Sequence, residues 1–92
     1  MSGYEELSQI RRKIDDIDEK IVRLLVERFK LVAEVFRIKQ KQGLPIVDVK
    51  RENQILTRVG TFAEKEGIKK EFMEEIFRKI LDSSVKFEKT LS

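Results

Sequence analysis

The stretch from Leu7 to Lys39, LSQIRRKIDDIDEKIVRLLVERFKLVAEVFRIK, decides the fold. Leu7, Ile10, Ile14, Ile17, Ile21, Leu24, Arg28, Leu31, Val35 and Ile38 follow one another in steps of three and four without a slip. That rhythm is a helix burying one seam against a neighbour. Every member is Leu, Ile or Val except Arg28. A guanidinium in such a seam is costly unless something anionic meets it. Leu24, Leu25, Leu31 and Val32 fill the positions three and four residues away, so no acid on the same helix turn answers the arginine. An external anion is the leading candidate.

Outward from that stretch the chain reads as all-α, with one long helix and two shorter ones. The first helix is expected from about Tyr4 to Lys41, stopped by Gly43-Leu44-Pro45. The second starts after Asp48, a good N-cap, and ends at Gly67. Its inward stripe is Glu52, Ile55, Leu56, Val59, Phe62 and Ala63, with Gly60 as an interior weak point. The third runs from about Lys69 to Thr90, with Phe72, Met73, Ile76, Phe77, Ile80, Leu81 and Val85 inward. The 92 residues form a single domain, residues 1–92.

The first helix outruns a compact monomer. About 37 residues at 1.5 Å each reach about 55 Å, whereas a globule of this size is roughly 30 Å across. Either a second chain covers the surplus seam, most simply a copy related by a two-fold axis, or the helix breaks near Glu27. No Gly or Pro there signals a break.

Composition narrows the chemistry. Hydrophobic and charged residues each make up 40%, and the net charge is +3, only mildly basic. Nucleic acid and membrane surfaces are not indicated. There is no Cys and no His, hence no thiol nucleophile, no sulfur-ligated metal and no imidazole base. The N-terminus lacks the basic and apolar regions of a signal peptide, and no run is long enough to span a bilayer, so a cytoplasmic protein is expected.

Further polar residues fall on apolar faces. Lys39 lies eleven positions after Arg28 and points within about 20° of it, some 16 Å along the axis. Lys39 also lacks an acid at helical spacing. Snorkelling from a fraying end is the ordinary account, but next to Arg28 an anion site is preferred. Arg11 can pair with Asp15 one turn on. It is also about 25 Å from Arg28 along a straight helix. One small ligand cannot touch both from one chain, so any such site would take Arg11 from a second, antiparallel chain. Asp48, Arg51 and Glu52 cluster at the start of the second helix, which an N-cap with local charge pairs explains. Ser84 and Glu88 follow Leu81 on the inward face of the third. Glu88 sits near a helix C-terminus, where negative charge is disfavoured, and fraying into solvent is the alternative.

Taken together, these residues resemble a family. Ile10 to Ile21, Val26-Glu27-Arg28 and Ile38-Lys39 look like the first helix of the all-helical chorismate mutases. Pro45 to Glu52 looks like that family's loop and second helix, and Asp82-Ser83-Ser84-Val85 like its third. The resemblance implies an intertwined homodimer with two sites inside helical bundles. It implies conversion of chorismate to prephenate, a concerted [3,3] rearrangement in phenylalanine and tyrosine biosynthesis. That reaction needs no cofactor, metal or nucleophile. Chorismate is a dicarboxylate and would supply the anions. By the family pattern, Arg28 and Arg11 of the partner subunit hold the side-chain carboxylate. Lys39 bridges a carboxylate and the ether oxygen. Glu52 and the backbone near Asp48 bind the ring hydroxyl. Ser84 helps hold the ring carboxylate, Arg51 borders the site, and Glu88 faces the ether oxygen, where the family carries Gln or Glu. A standalone domain is expected, without a fused dehydrogenase, dehydratase or regulatory segment. Two rivals are an isochorismate-pyruvate lyase of the same fold, against which Glu52 argues, and a non-catalytic helical dimer.

Overall fold

In the computed structural model, residues 2–92 are described, and they form three helices: α1 (Gly3–Gln42), α2 (Val49–Lys65) and α3 (Lys70–Leu91). No strand occurs among the described residues. The observed ends lie within about a residue of the expected ones, and α1 runs unbroken through Glu27. By internal packing the chain divides into two compact units, residues up to Leu31 and Val32–Ser92.

Local chemistry accounts for each end. Ser2 caps α1, its Oγ accepting from the Glu5 backbone N–H at 3.2 Å. The Ser-x-x-Glu spacing of Ser2 and Glu5 is the capping-box pattern, a start signal the reading above passed over. At the other end the Leu44 N–H reaches back to the Lys39 carbonyl at 2.8 Å, and the Gly43 N–H to that of Gln40 at 3.3 Å. This is a Schellman turn, and Gly43 takes the left-handed φ of 68° that it requires. The end of α2 repeats it. Ile68 N–H bonds the Ala63 carbonyl, Gly67 N–H bonds that of Glu64, and Gly67 has φ 84°. Asp48 is the N-cap of α2 as expected, its Oδ1 accepting from the Arg51 N–H at 3.0 Å.

Within Val32–Ser92, α2 packs against α3. The core there is Phe36, Ile55, Ala63 and Leu81, together with Gly60, Ser84 and Glu88. Gly60 marks a close approach of the two helices. A Cβ at that position would sit 3.2 Å from the Lys70 Cβ and 2.7 Å from the Glu74 Oε1.

Three expected core residues are corrected: Phe62, Phe72 and Ile76 are more than half exposed. One facing helix covers only part of a wide apolar stripe, and these three lie at its margins. The α1 seam, for which a covering second chain is expected, lies open in the single chain. Leu7, Ile10, Ile14, Ile17, Ile21, Leu24, Leu31, Val35 and Ile38 are all exposed in the single chain. From Leu25 onward the part-buried or buried residues are instead Leu25, Arg28, Phe29, Val32, Ala33, Phe36 and Lys39, one ladder around the helix. Thus α1 carries two apolar ladders side by side, and only the second is shielded. Among the described residues, no helix is long and apolar enough to cross a membrane.

Candidate functional site

Two clusters in Val32–Ser92 bring distant parts of the sequence together. In the first, Lys39 near the end of α1 meets Glu88 near the end of α3. The Lys39 Nζ donates to the Ile46 carbonyl at 2.6 Å and lies 3.5 Å from the Glu88 Oε2. Both side chains are largely shielded, at 18% and 7% exposure. Lys39 therefore does not snorkel, and Glu88 does not fray into solvent. The lysine also fixes the loop that leads to Asp48. Its carbonyl holds Leu44 and its ammonium holds Ile46.

The second cluster lies at the start of α2. Asp48 and Arg51 are exposed and share the capping bond. Glu52, on the inward side, is part-buried, and its Oε1 accepts from the Arg78 Nη2 at 2.9 Å. Arg78 in turn places Nη2 and Nε on the Asp82 Oδ1, one turn along α3, at 3.2 and 3.3 Å. The hydrogen bond to Glu52 raises the Arg78 pKa above the ordinary arginine value, against an opposing effect of burial. Arg78 was absent from the residues singled out by sequence. Its only signal there is the Arg78–Asp82 spacing of four, which reads as an ordinary surface pair.

Ser84 is buried, and its Oγ donates to the Ile80 carbonyl at 2.8 Å. Lying four residues apart, Ser84 and Glu88 share the inner face of α3. In the other unit, Arg11 is exposed and Arg28 part-buried. Arg28 is not without a partner within the chain. Its neighbours at helical spacing therefore do not by themselves demand an external anion. Among the described residues, no group of three or more acidic side chains is placed to hold a metal ion. A shallow groove on the outer side of α2, lined by Val49, Lys50, Asn53, Gln54, Thr57 and Arg58, contains none of the clustered residues.

The sequence model of the family described as chorismate mutase type II matches residues 10–89. The chain belongs to the type II chorismate mutase family. A chorismate mutase from Methanocaldococcus jannaschii is 34% identical over 85 residues, which cover 92% of this chain and 86% of that protein. The T-protein of Haemophilus influenzae is 34% identical over 84 residues, covering 91% of this chain. This chain spans only 22% of the T-protein's length. Among solved structures, the form II chorismate mutase of Thermus thermophilus superposes with a TM-score of 0.79 at 30% identity. The match covers 91% of this chain and 94% of that one. The all-helical reading and the family resemblance are both borne out.

Proposed function

We propose that the chain is a chorismate mutase, one domain over residues 1–92, which converts chorismate to prephenate in the cytoplasm as an intertwined homodimer. The observation that carries this reading is the shielded Lys39–Glu88 pair, in a chain whose family match covers both residues. A concerted rearrangement needs a cage that selects the compact conformer and donors aimed at the ether oxygen, rather than a nucleophile.

The roles follow the family pattern. Arg28 and Arg11 of the partner subunit grip the side-chain carboxylate. An ammonium has three hydrogens. Lys39 directs two of them to Ile46 and Glu88, which leaves one to be shared between the ether oxygen and the nearby carboxylate. Glu88 faces the same oxygen. Glu52 and the backbone beside Asp48 accept and position the ring hydroxyl, with Arg51 at the border. Ser84 serves the ring carboxylate by turning its hydroxyl away from Ile80, an exchange of one hydrogen bond for a charge-assisted one.

The exposed ladder from Leu7 to Ile38 supports the dimer. A contiguous apolar stripe of that extent is an association surface. The same two-fold pairing supplies Arg11 across subunits.

The test is an absorbance assay of chorismate loss by the purified protein, with prephenate identified as product and isochorismate run in parallel. Prephenate from chorismate alone is expected. Pyruvate release from isochorismate without prephenate formation would replace this reading with the lyase.

A further inference from the structure

We propose that Arg78 is a positioning residue that aims Glu52 at the substrate's ring hydroxyl. This inference rests on the reading of the site given above. Arg78 and Glu52 lie 26 positions apart, and their 2.9 Å bond joins α3 to α2. The geometry is directional. Arg78 takes Oε1 of Glu52, and a carboxylate fixed by one oxygen has its other oxygen aimed as well.

The guanidinium is itself held by a second acid. The Asp82 Oδ1 accepts from Nε at 3.3 Å and lies 3.2 Å from Nη2, which restrains Arg78 from swinging off Glu52. Asp82, Arg78 and Glu52 form one chain of charge-assisted bonds. The first two links set the rotamer of the third. Glu52 is 16% exposed and Arg78 39%. The acid is sheltered and its clamp reaches it from the rim.

The ring hydroxyl takes no part in the bonds made and broken. A contact to it is therefore present in bound substrate and transition state alike. Loosening it raises KM and leaves kcat nearly unchanged. Arg78→Ala is expected to raise KM for chorismate about 3–10-fold, the range for a partly exposed charge-assisted bond acting through a second residue. The turnover number should change less than about twofold by the same argument. Arg78→Lys keeps a cationic donor and should recover most of the loss, although it cannot bridge Asp82 and Glu52 with one planar fork.

The deciding measurement is a double-variant cycle on KM with Glu52→Ala. If Arg78 acts through Glu52, adding Arg78→Ala to Glu52→Ala should change nothing further. Thermal unfolding of every variant accompanies the kinetics, and Arg78→Gln replaces the alanine variant if that one fails to fold. An unchanged KM in a folded Arg78 variant, or the same penalty with Glu52 already removed, overturns the proposal. A wild-type protein inert toward chorismate removes the functional reading and this inference together. An active wild type with additive variants removes the role of Arg78 alone.

Discussion

Replacing Lys39 with alanine should reveal a structural debt separate from the catalytic part proposed for it. The change strands the Glu88 carboxylate, 7% exposed, and takes the donor from the Ile46 carbonyl. Breaking a fully buried ion pair from one side costs about 3–5 kcal/mol. Here the pair is 3.5 Å apart and the lysine is 18% exposed, so water reaches the gap and the cost falls. We expect about 2 kcal/mol, in the range for a charged hydrogen bond. In a domain of this size, that lowers Tm by about 8–16 °C. Glu88→Gln in the same chain leaves an amide that needs no cation. It should return about 1 kcal/mol, the charged share, with the Ile46 share still missing. Activity should remain lost in both variants. The assay is thermal or urea unfolding at neutral pH without substrate, at one fixed protein concentration because association shifts apparent stability. A melting temperature for Lys39→Ala within about 2 °C of wild type, or no recovery on adding Glu88→Gln, would refute the reasoning.

Three further outcomes follow from other parts of the chain. Glu88 lies 3.5 Å from the Lys39 ammonium, so it orients the lysine from the inner face of α3. Glu88→Ala should therefore lower kcat/KM by about 10²-fold or more, as steady-state kinetics at one fixed pH will show. Arg11→Ala and Arg28→Ala chains should each be nearly inactive, down about 10²–10³-fold. Mixed under subunit exchange, they should recover at most about a quarter of native activity, from one intact site per heterodimer. No recovery despite demonstrated exchange counts against shared sites. Gly43→Ala should cost about 1 kcal/mol by chemical denaturation, because φ is 68° while nothing lies within 4 Å of the new Cβ, so the cost is purely backbone. A neutral substitution there would contradict the left-handed turn.

Helix number, both glycine stops and the Asp48 cap were legible because each is written within a few consecutive residues. The phase of α1 was not. Leu24, Leu31, Val35 and Ile38 make as good an apolar ladder as Leu25, Phe29, Val32 and Phe36, and periodicity alone cannot say which one its own chain covers. Phe36, the buried residue of α1, was missed for that reason. The polar clusters escaped in a different way. Spacings of three and four report neighbours along one helix, whereas Glu88 reaches Lys39 across 49 positions and Arg78 reaches Glu52 across 26. Candidate site residues could be proposed from the family pattern, but the partners they meet in the fold could not. Gly60 reads as a weak helix former in isolation, and only the approach of Lys70 and Glu74 gives it a reason.

The connection between α1 and α2 is held by a single residue at two points. The carbonyl of Lys39 receives Leu44 and its ammonium receives Ile46, so the segment is measured off against one side chain before it reaches Asp48. A tether of that kind has no slack. Exposed positions such as Val47 can change identity at little cost, because the hold is on backbone atoms. Adding or deleting even one residue would shift Ile46 out of reach of the ammonium or pull Lys39 off Glu88. In this chain, loop length is tied to the Lys39–Glu88 pair, and anyone redesigning the segment can vary its letters but not its count.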